Sequence, residues 1–103
     1  MELHLITCIV QRGEADRIVK VALAGGAQGA TIFYARGTGV REKLGVMGAF
    51  IRPEKEVVLV VSHADKVEEI FNAIIKAGGL DEPGKGFAFT KKVEKAIGFL
   101  EVP

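Results

Sequence analysis

The chain alternates between apolar runs that are typical of strands and segments that place apolar residues at helical spacing. LHLITCIV and EVVLVVS are continuous and rich in β-branched residues, as in strands that are buried on both faces. Each predicted helix ends at a repeated AGG, at residues 24–26 and 77–79. The strands are expected at 3–10, 30–35, 56–62 and 87–90, the helices at 14–24 and 65–77, and a short turn of helix with a tail at 93–99.

The element order βαββαβ predicts an α+β fold of the ferredoxin-like type. Two βαβ halves with right-handed crossovers build a sandwich that has a four-stranded antiparallel sheet and two helices on one face. The first and third strands are the most apolar and are expected in the middle of that sheet. With 103 residues, the chain is expected to form a single domain, residues 1–103.

The second face of this sheet is predicted to be apolar as well. In the third strand, Val57, Leu59 and Val61 point one way, whereas Val58 and Val60 point the other. Two helices can cover only one face, and burying a large aliphatic side chain stabilises by about 1.5–3 kcal/mol. We therefore expect the uncovered face to contact another subunit.

Composition and charge narrow the classes of function. With 14 basic and 13 acidic residues, the chain has no general attraction to nucleic acid or to an anionic membrane. The single Cys8 excludes an internal disulfide framework, and without an apolar run of 18 residues or a signal-peptide pattern a cytoplasmic location is expected. His4 and Cys8 share a face of the first strand but lie about 13 Å apart, too far to bind one metal ion. No catalytic set of residues is apparent.

The stretch GKGFAFTKK, residues 84–92, has two interpretations. Residues 85–89 match the K/R-G-F/Y-G/A-F signature of RNA-recognition motifs. However, this signature lies on the fourth predicted strand, and the first strand contains no aromatic residue. We therefore expect Phe87 and Phe89 to be core residues beneath the helices, and the two glycines to form a turn whose N–H groups face a phosphate.

The segment GTGVREKLGVMGAFIRPEK, residues 37–55, is far longer than an ordinary hairpin loop. Before Pro53, the segment contains four glycines, three basic residues, Arg41, Lys43 and Arg52, and one acidic residue, Glu42. Glycines allow backbone N–H groups to converge on an anion, and the basic side chains add positive charge. The alternative is a solvated hairpin whose charges are incidental.

Several stretches together resemble the PII signal-transduction superfamily, the regulators of nitrogen and carbon metabolism. They are LITCIV, GATIFYARGTG before the long loop, PEKEVVLVV, and GKGFAF followed by VEKAIGF. Their order and spacing carry the resemblance, which extends over nearly the whole chain. It implies a ferredoxin-like homotrimer whose sheets face one another around the threefold axis, with ATP or ADP in the cleft between neighbouring subunits.

The resemblance also assigns residues to the nucleotide. It implies a T-loop-like segment at about 37–55 and a glycine-rich, B-loop-like segment at about 81–87. The expected contacts are Ile9, Thr31 and Val60 near the adenine, Gly37 and Gly39 at the base of the T-loop, Arg41 and Lys43 in the loop, and Gly84, Lys85 and Gly86 in the B-loop.

Three departures from the family concern charge, since Phe87, Gly98 and Leu100 stand where the family has basic residues. Each charge-assisted contact is worth about 1.5–3 kcal/mol, so ADP, AMP or a cyclic nucleotide is expected to fit better than ATP. Arg41 replaces the glutamine that orients magnesium and 2-oxoglutarate, and the loop is shorter and lacks the modified tyrosine.

The sequence therefore predicts a PII-like homotrimeric regulator, not an enzyme. It would bind an adenine nucleotide between subunits and order its long loop to control a membrane transporter or an enzyme. A trimer of the related divalent-metal-tolerance type, without a nucleotide response, is the alternative. An acylphosphatase-like enzyme on the same fold would need a phosphate-binding loop after the first strand, which QRGEAD does not show.

Overall fold

The computed structural model describes residues 2–37 and 53–99 and confirms the predicted order of elements. The strands are β1 (Leu3–Gln11), β2 (Thr31–Arg36), β3 (Glu54–His63) and β4 (Gly86–Lys92), and the helices are α1 (Ala15–Ala24) and α2 (Ala64–Gly78). Residues 93–99 contain no helix, so the short helical turn expected there is wrong. The strand β3 begins at Glu54, which takes two residues from the loop expected at 37–55.

The four strands form one antiparallel sheet in the order β2-β3-β1-β4. The two most apolar strands, β1 and β3, are central, as the sequence predicts. Both helices pack on the same face, α1 against β3 and α2 against β1 and β3. The predicted ferredoxin-like α+β fold is therefore confirmed.

The core lies between the helices and one face of the sheet. Alternate residues of the central strands point into it, because side chains of a strand alternate between its faces. Each helix contributes a stripe at i, i+3 or i+4, i+7 spacing, which is why these amphipathic segments are helical here. The buried side chains are Ile6, Cys8 and Val10 from β1, Val58 and Val60 from β3, Ala15, Ile18 and Ala22 from α1, and Val67, Ile70 and Ile74 from α2.

Neither α1 nor α2 packs on the opposite face of the sheet, which is called the open face below. Its residues include Leu5, Thr7, Ile9 and Gln11 from β1, Lys55, Val57, Leu59 and Val61 from β3, Thr31, Phe33 and Ala35 from β2, and Phe87 and Phe89 from β4. Phe33 remains 46% exposed and Phe87 62% exposed. Aromatic rings of this size in water favour association with another surface.

The prediction that Phe87 and Phe89 lie beneath the helices is wrong. In the register of β4 with β1, Ala88 pairs with Cys8 and points inward, so both phenylalanines lie on the open face. Their ring centroids are 5.5 Å apart. The two rings therefore add to the apolar surface that the helices leave uncovered.

The tail after β4 crosses part of the open face. The Val93 N–H donates to the Leu3 carbonyl at 2.9 Å, and the Phe99 ring contacts the His63 ring edge-on at 5.6 Å between centroids. A groove of about 400 Å³ separates the tail from Leu59 and its neighbours. The described part of the tail, which ends at Phe99, thus covers the end of the open face where β1 begins.

Candidate functional site

The glycines singled out by the sequence gather at one end of the sheet, called the loop end below. There β1 and β2 end, and β3 and β4 begin. The Gly37 N–H donates to the Pro53 carbonyl at 2.9 Å and so joins the two ends of the segment between β2 and β3. The loop end therefore contains the base of the long loop on one edge of the sheet and the glycine turn on the other.

The glycine turn, residues 79–86, is shaped by backbone conformations that favour glycine. Gly84 has a φ of 82° and Gly86 a φ of 148°. A Cβ on Gly86 would lie 2.6 Å from the Ile9 carbonyl oxygen, closer than side chains come to backbone atoms. The Gln11 amide donates from Nε2 to the Gly84 carbonyl at 3.2 Å, so the end of β1 holds the turn in place.

The turn between β1 and α1 is fixed by a carboxylate from β3. Glu56 is buried, and its Oε1 accepts the Gly13 N–H at 2.8 Å and the Ala15 N–H at 3.0 Å. It thereby satisfies N–H groups at the start of α1, where Glu14 makes no side-chain cap. Because a carboxylate already occupies these donors, this turn does not present them to a phosphate, as an acylphosphatase-like site would require.

An aromatic and a cation lie together on the other face of β2, near the loop end. The Arg12 guanidinium is 5.8 Å from the centroid of the Tyr34 ring, within the range of a cation–π contact. The backbone N–H of Arg12 donates to the Glu54 carbonyl at 3.4 Å, and this bond joins the turn after β1 to the start of β3. Tyr34 is 73% exposed and points away from the open face, because it pairs with Glu56.

The structure brings some of the predicted nucleotide residues together and separates others. Gly84, Lys85 and Gly86 form the glycine turn, and Ile9 lies beside it on the open face, opposite Phe87. Gly37 lies on the far edge of the sheet, beyond β3 and β1.

Two residues expected near the adenine lie apart. Thr31 is on the open face, where it lines the groove beneath the tail together with Gly98 and Phe99. Val60 faces the helices and is fully buried, so its side chain does not reach the open face. Leu59, its neighbour in β3, is the residue that pairs with both Thr31 and Thr7 on that face. Gly39, Arg41, Lys43 and Leu100 lie outside the described residues.

The structure adds a cation that sequence reasoning missed. Lys55 lies on the open face at the loop end, paired with Ala35 on one side and Gln11 on the other, and is only 9% exposed. The sequence does indicate the face on which this lysine lies, because Lys55, Val57 and Leu59 are alternate residues of one strand and therefore point to the same side of the sheet. Meanwhile Phe87 is exposed beside the glycine turn, and Gly98 lies in the tail, so neither position supplies a cation.

Metal-binding chemistry finds no support in residues 2–37 and 53–99. No group of three or more His, Cys, Asp or Glu side chains that could hold a metal ion occurs in those ranges. His4 instead contacts the Glu2 carboxylate at 3.2 Å, and together with Lys92 it lowers the pKa of that carboxyl. Burial raises the pKa of the Cys8 thiol to about 11, so the thiol stays protonated at neutral pH.

Comparison with known proteins gives one family. The model of the nitrogen regulatory protein P-II family matches residues 3–99. No curated protein matches the chain. Among the described parts of the chain, neither helix is long and apolar enough to cross a membrane.

Proposed function

Because the chain belongs to the nitrogen regulatory protein P-II family and is a PII-like regulatory protein, we propose that it acts as a homotrimeric sensor of an adenine nucleotide. The nucleotide binds in clefts between subunits and orders the segment between β2 and β3. That segment then controls a partner, either a membrane transporter or an enzyme. The observation that carries the proposal is the placement of Gly37 and the glycine turn on opposite edges of one sheet.

The exposed apolar surface supports association of the subunits. The open face presents Phe33 and Phe87 to solvent beside a row of valine, leucine and isoleucine side chains from the central strands. Within residues 2–37 and 53–99, neither helix covers these side chains, and the tail as far as Phe99 reaches the end of the face where β1 begins. Three open faces packed around a common axis would remove this surface from water.

The geometry of the sheet supports a ligand site that two subunits share. Gly37 follows β2 and Gly84 precedes β4, which are the two edge strands. Three strand spacings of about 4.8 Å separate these edges by about 14 Å, so the two glycine segments of one chain do not face each other across a single cleft. In the trimer that we propose, however, the β2 edge of one subunit would meet the β4 edge of the next. Thr31 on the β2 edge and Ile9 beside the glycine turn would then reach one nucleotide from two subunits.

The charge at the loop end bears on which nucleotide binds. A glycine turn with backbone N–H groups suits a phosphate, and Lys85 in that turn is exposed. Phe87 and Gly98 bring no charge to positions where the family has basic residues, which disfavours the most highly charged ligand, a triphosphate. We therefore propose that ADP, AMP or a cyclic nucleotide binds more tightly than ATP.

Calorimetry on the purified chain tests this proposal. Wild-type protein should release or absorb heat with ADP or AMP, with about one site per chain, and Lys85→Glu should weaken the affinity by about tenfold or more. Lys20→Glu, which makes the same charge change on the exposed surface of α1, is the matched control and should leave the affinity unchanged. Gly86→Asp is unsuitable, because its Cβ would collide with β1. Absence of binding with ATP, ADP, AMP and cyclic nucleotides at millimolar concentration would refute the proposal.

A further inference from the structure

We propose that Lys55 supplies the positive charge that faces the phosphate group of the bound nucleotide. This inference rests on the proposed function and deepens it, because it names a further residue that contributes to the preference for a phosphorylated ligand. Lys55 is the last residue of the T-loop-like segment at about 37–55, but it is not among the residues that the resemblance assigns to contacts with the nucleotide. A second cation, besides Lys85 of the turn, would come from the sheet itself, since Phe87 and Gly98 stand at basic positions of the family.

The register of the sheet places Lys55 within reach of the glycine turn. Lys55 pairs directly with Gln11, and Cβ atoms of such pairs are about 5 Å apart. Gln11 in turn donates to the Gly84 carbonyl at 3.2 Å. One amide side chain thus separates Lys55 from the turn, and the flexible four-carbon stem of a lysine can extend past it.

The acidic residues that flank Lys55 in the sequence do not lie on its face. Glu54 and Glu56 point to the helix side, because successive side chains of a strand alternate between faces. The Glu56 carboxylate also accepts two backbone N–H groups there, so it is committed to the start of α1. The flanking carboxylates therefore lie on the opposite face of the sheet from Lys55.

The surroundings of Lys55 suit an anion that arrives with a second subunit. Lysine is seldom buried to this extent, and here the side chain lies against a face that contains Val57, Ile9 and Phe33. Where water is excluded, the attraction between an ammonium group and a phosphate is stronger than at an exposed site. Lys55 already makes an interaction within the chain, and an ammonium group with three donors can share one of them with a phosphate oxygen.

Binding of ADP and adenosine to Lys55 variants tests this inference. Lys55→Met keeps an unbranched stem of similar length and removes the charge, so its affinity for ADP should fall by about 10- to 100-fold while its affinity for adenosine stays unchanged. Lys55→Arg should keep most of the ADP affinity, because it retains the charge. Lys20→Met, an exposed lysine of α1, is the matched control and should bind both ligands like the wild type.

The outcomes separate this inference from the proposed function. If the wild type binds neither ligand, the proposed function fails and the role of Lys55 falls with it. If the wild type binds ADP and Lys55→Met binds it equally well, or loses ADP and adenosine to the same extent, only the assignment of Lys55 is overturned. Should Lys55→Met fail to fold by circular dichroism, Lys55→Gln provides the same comparison with a polar head group, and its ratio of ADP to adenosine affinity decides the question.

Discussion

Truncating Phe33 tests whether the open face is buried between subunits. Phe33 is 46% exposed in the single chain and lies near the middle of the β2 edge, opposite Val57. A phenylalanine can bury about 200 Å², so about 90 Å² of each Phe33 is available for contact with another subunit. At about 25 cal/mol per Å², this area contributes about 2 kcal/mol per subunit and about 7 kcal/mol to a trimer.

The expected effect of Phe33→Ala on assembly follows from this energy. A loss of about 7 kcal/mol lowers the overall association constant of a trimer by about 10⁵. Since the concentration midpoint varies with the inverse square root of that constant, it should rise by about 300-fold. Sedimentation velocity over a dilution series measures the midpoint, and circular dichroism checks that the variant chain is folded.

Tyr34→Ala is the matched control for this experiment. Tyr34 is the next residue of β2, is 73% exposed and points to the opposite face of the sheet. It should therefore leave the midpoint unchanged, although it removes an aromatic ring of similar size. An unchanged midpoint for Phe33→Ala, or an equal shift for Tyr34→Ala, would refute the reasoning that the open face forms the contact.

Three further predictions concern single residues of the fold. Gly86→Ala should lower the free energy of unfolding by about 2–3 kcal/mol, because its Cβ meets the Ile9 carbonyl, whereas Gly29→Ala, with open space around it, should change thermal unfolding little. Glu56→Ala should cost about 1–2 kcal/mol in urea unfolding, since the N–H groups of Gly13 and Ala15 at the start of α1 lose their acceptor, and an unchanged midpoint would contradict this role. Burial raises the pKa of the Cys8 thiol from 9.0 to about 11, so Cys8 should resist alkylation by iodoacetamide at pH 8 in the folded protein and react once the protein is denatured. Because the folded state disfavours the thiolate, the contribution of Cys8 to stability should persist below about pH 9 and decline as the pH rises towards 11.

The sequence predicts the fold well because its signals are local and repeated. Helical spacing before each AGG defines the two helices, and the apolar runs define the central strands. Alternation along β3 also indicates, from the residues alone, that both faces of the sheet are apolar. Periodicity along the chain does not give the register between strands that are distant in sequence, and the wrong placement of Phe87 and Phe89 arises from this.

The positions of the two β4 phenylalanines illustrate this limit. Alternation places Phe87 and Phe89 on one face, but only the pairing of Ala88 with Cys8 decides that this is the open face. The sequence also does not predict which distant backbone groups a single side chain contacts; an example is Glu56, whose carboxylate accepts the N–H of Gly13 in the turn before α1. Lys55 is an intermediate case. The alternation of residues along β3 predicts the face on which it lies, but its position beside Gln11 and the glycine turn follows only from the register of β3 with β1.

The most direct test of the shared nucleotide site is sedimentation equilibrium of the wild-type chain with radiolabelled ADP. The proposal predicts a species of three times the 11.0 kDa chain mass, with the bound nucleotide sedimenting only with that species and at about one per chain. A mass of 11.0 kDa at micromolar concentration, with ADP still bound to the single chain, would contradict a site built from the opposite edges of two neighbouring sheets.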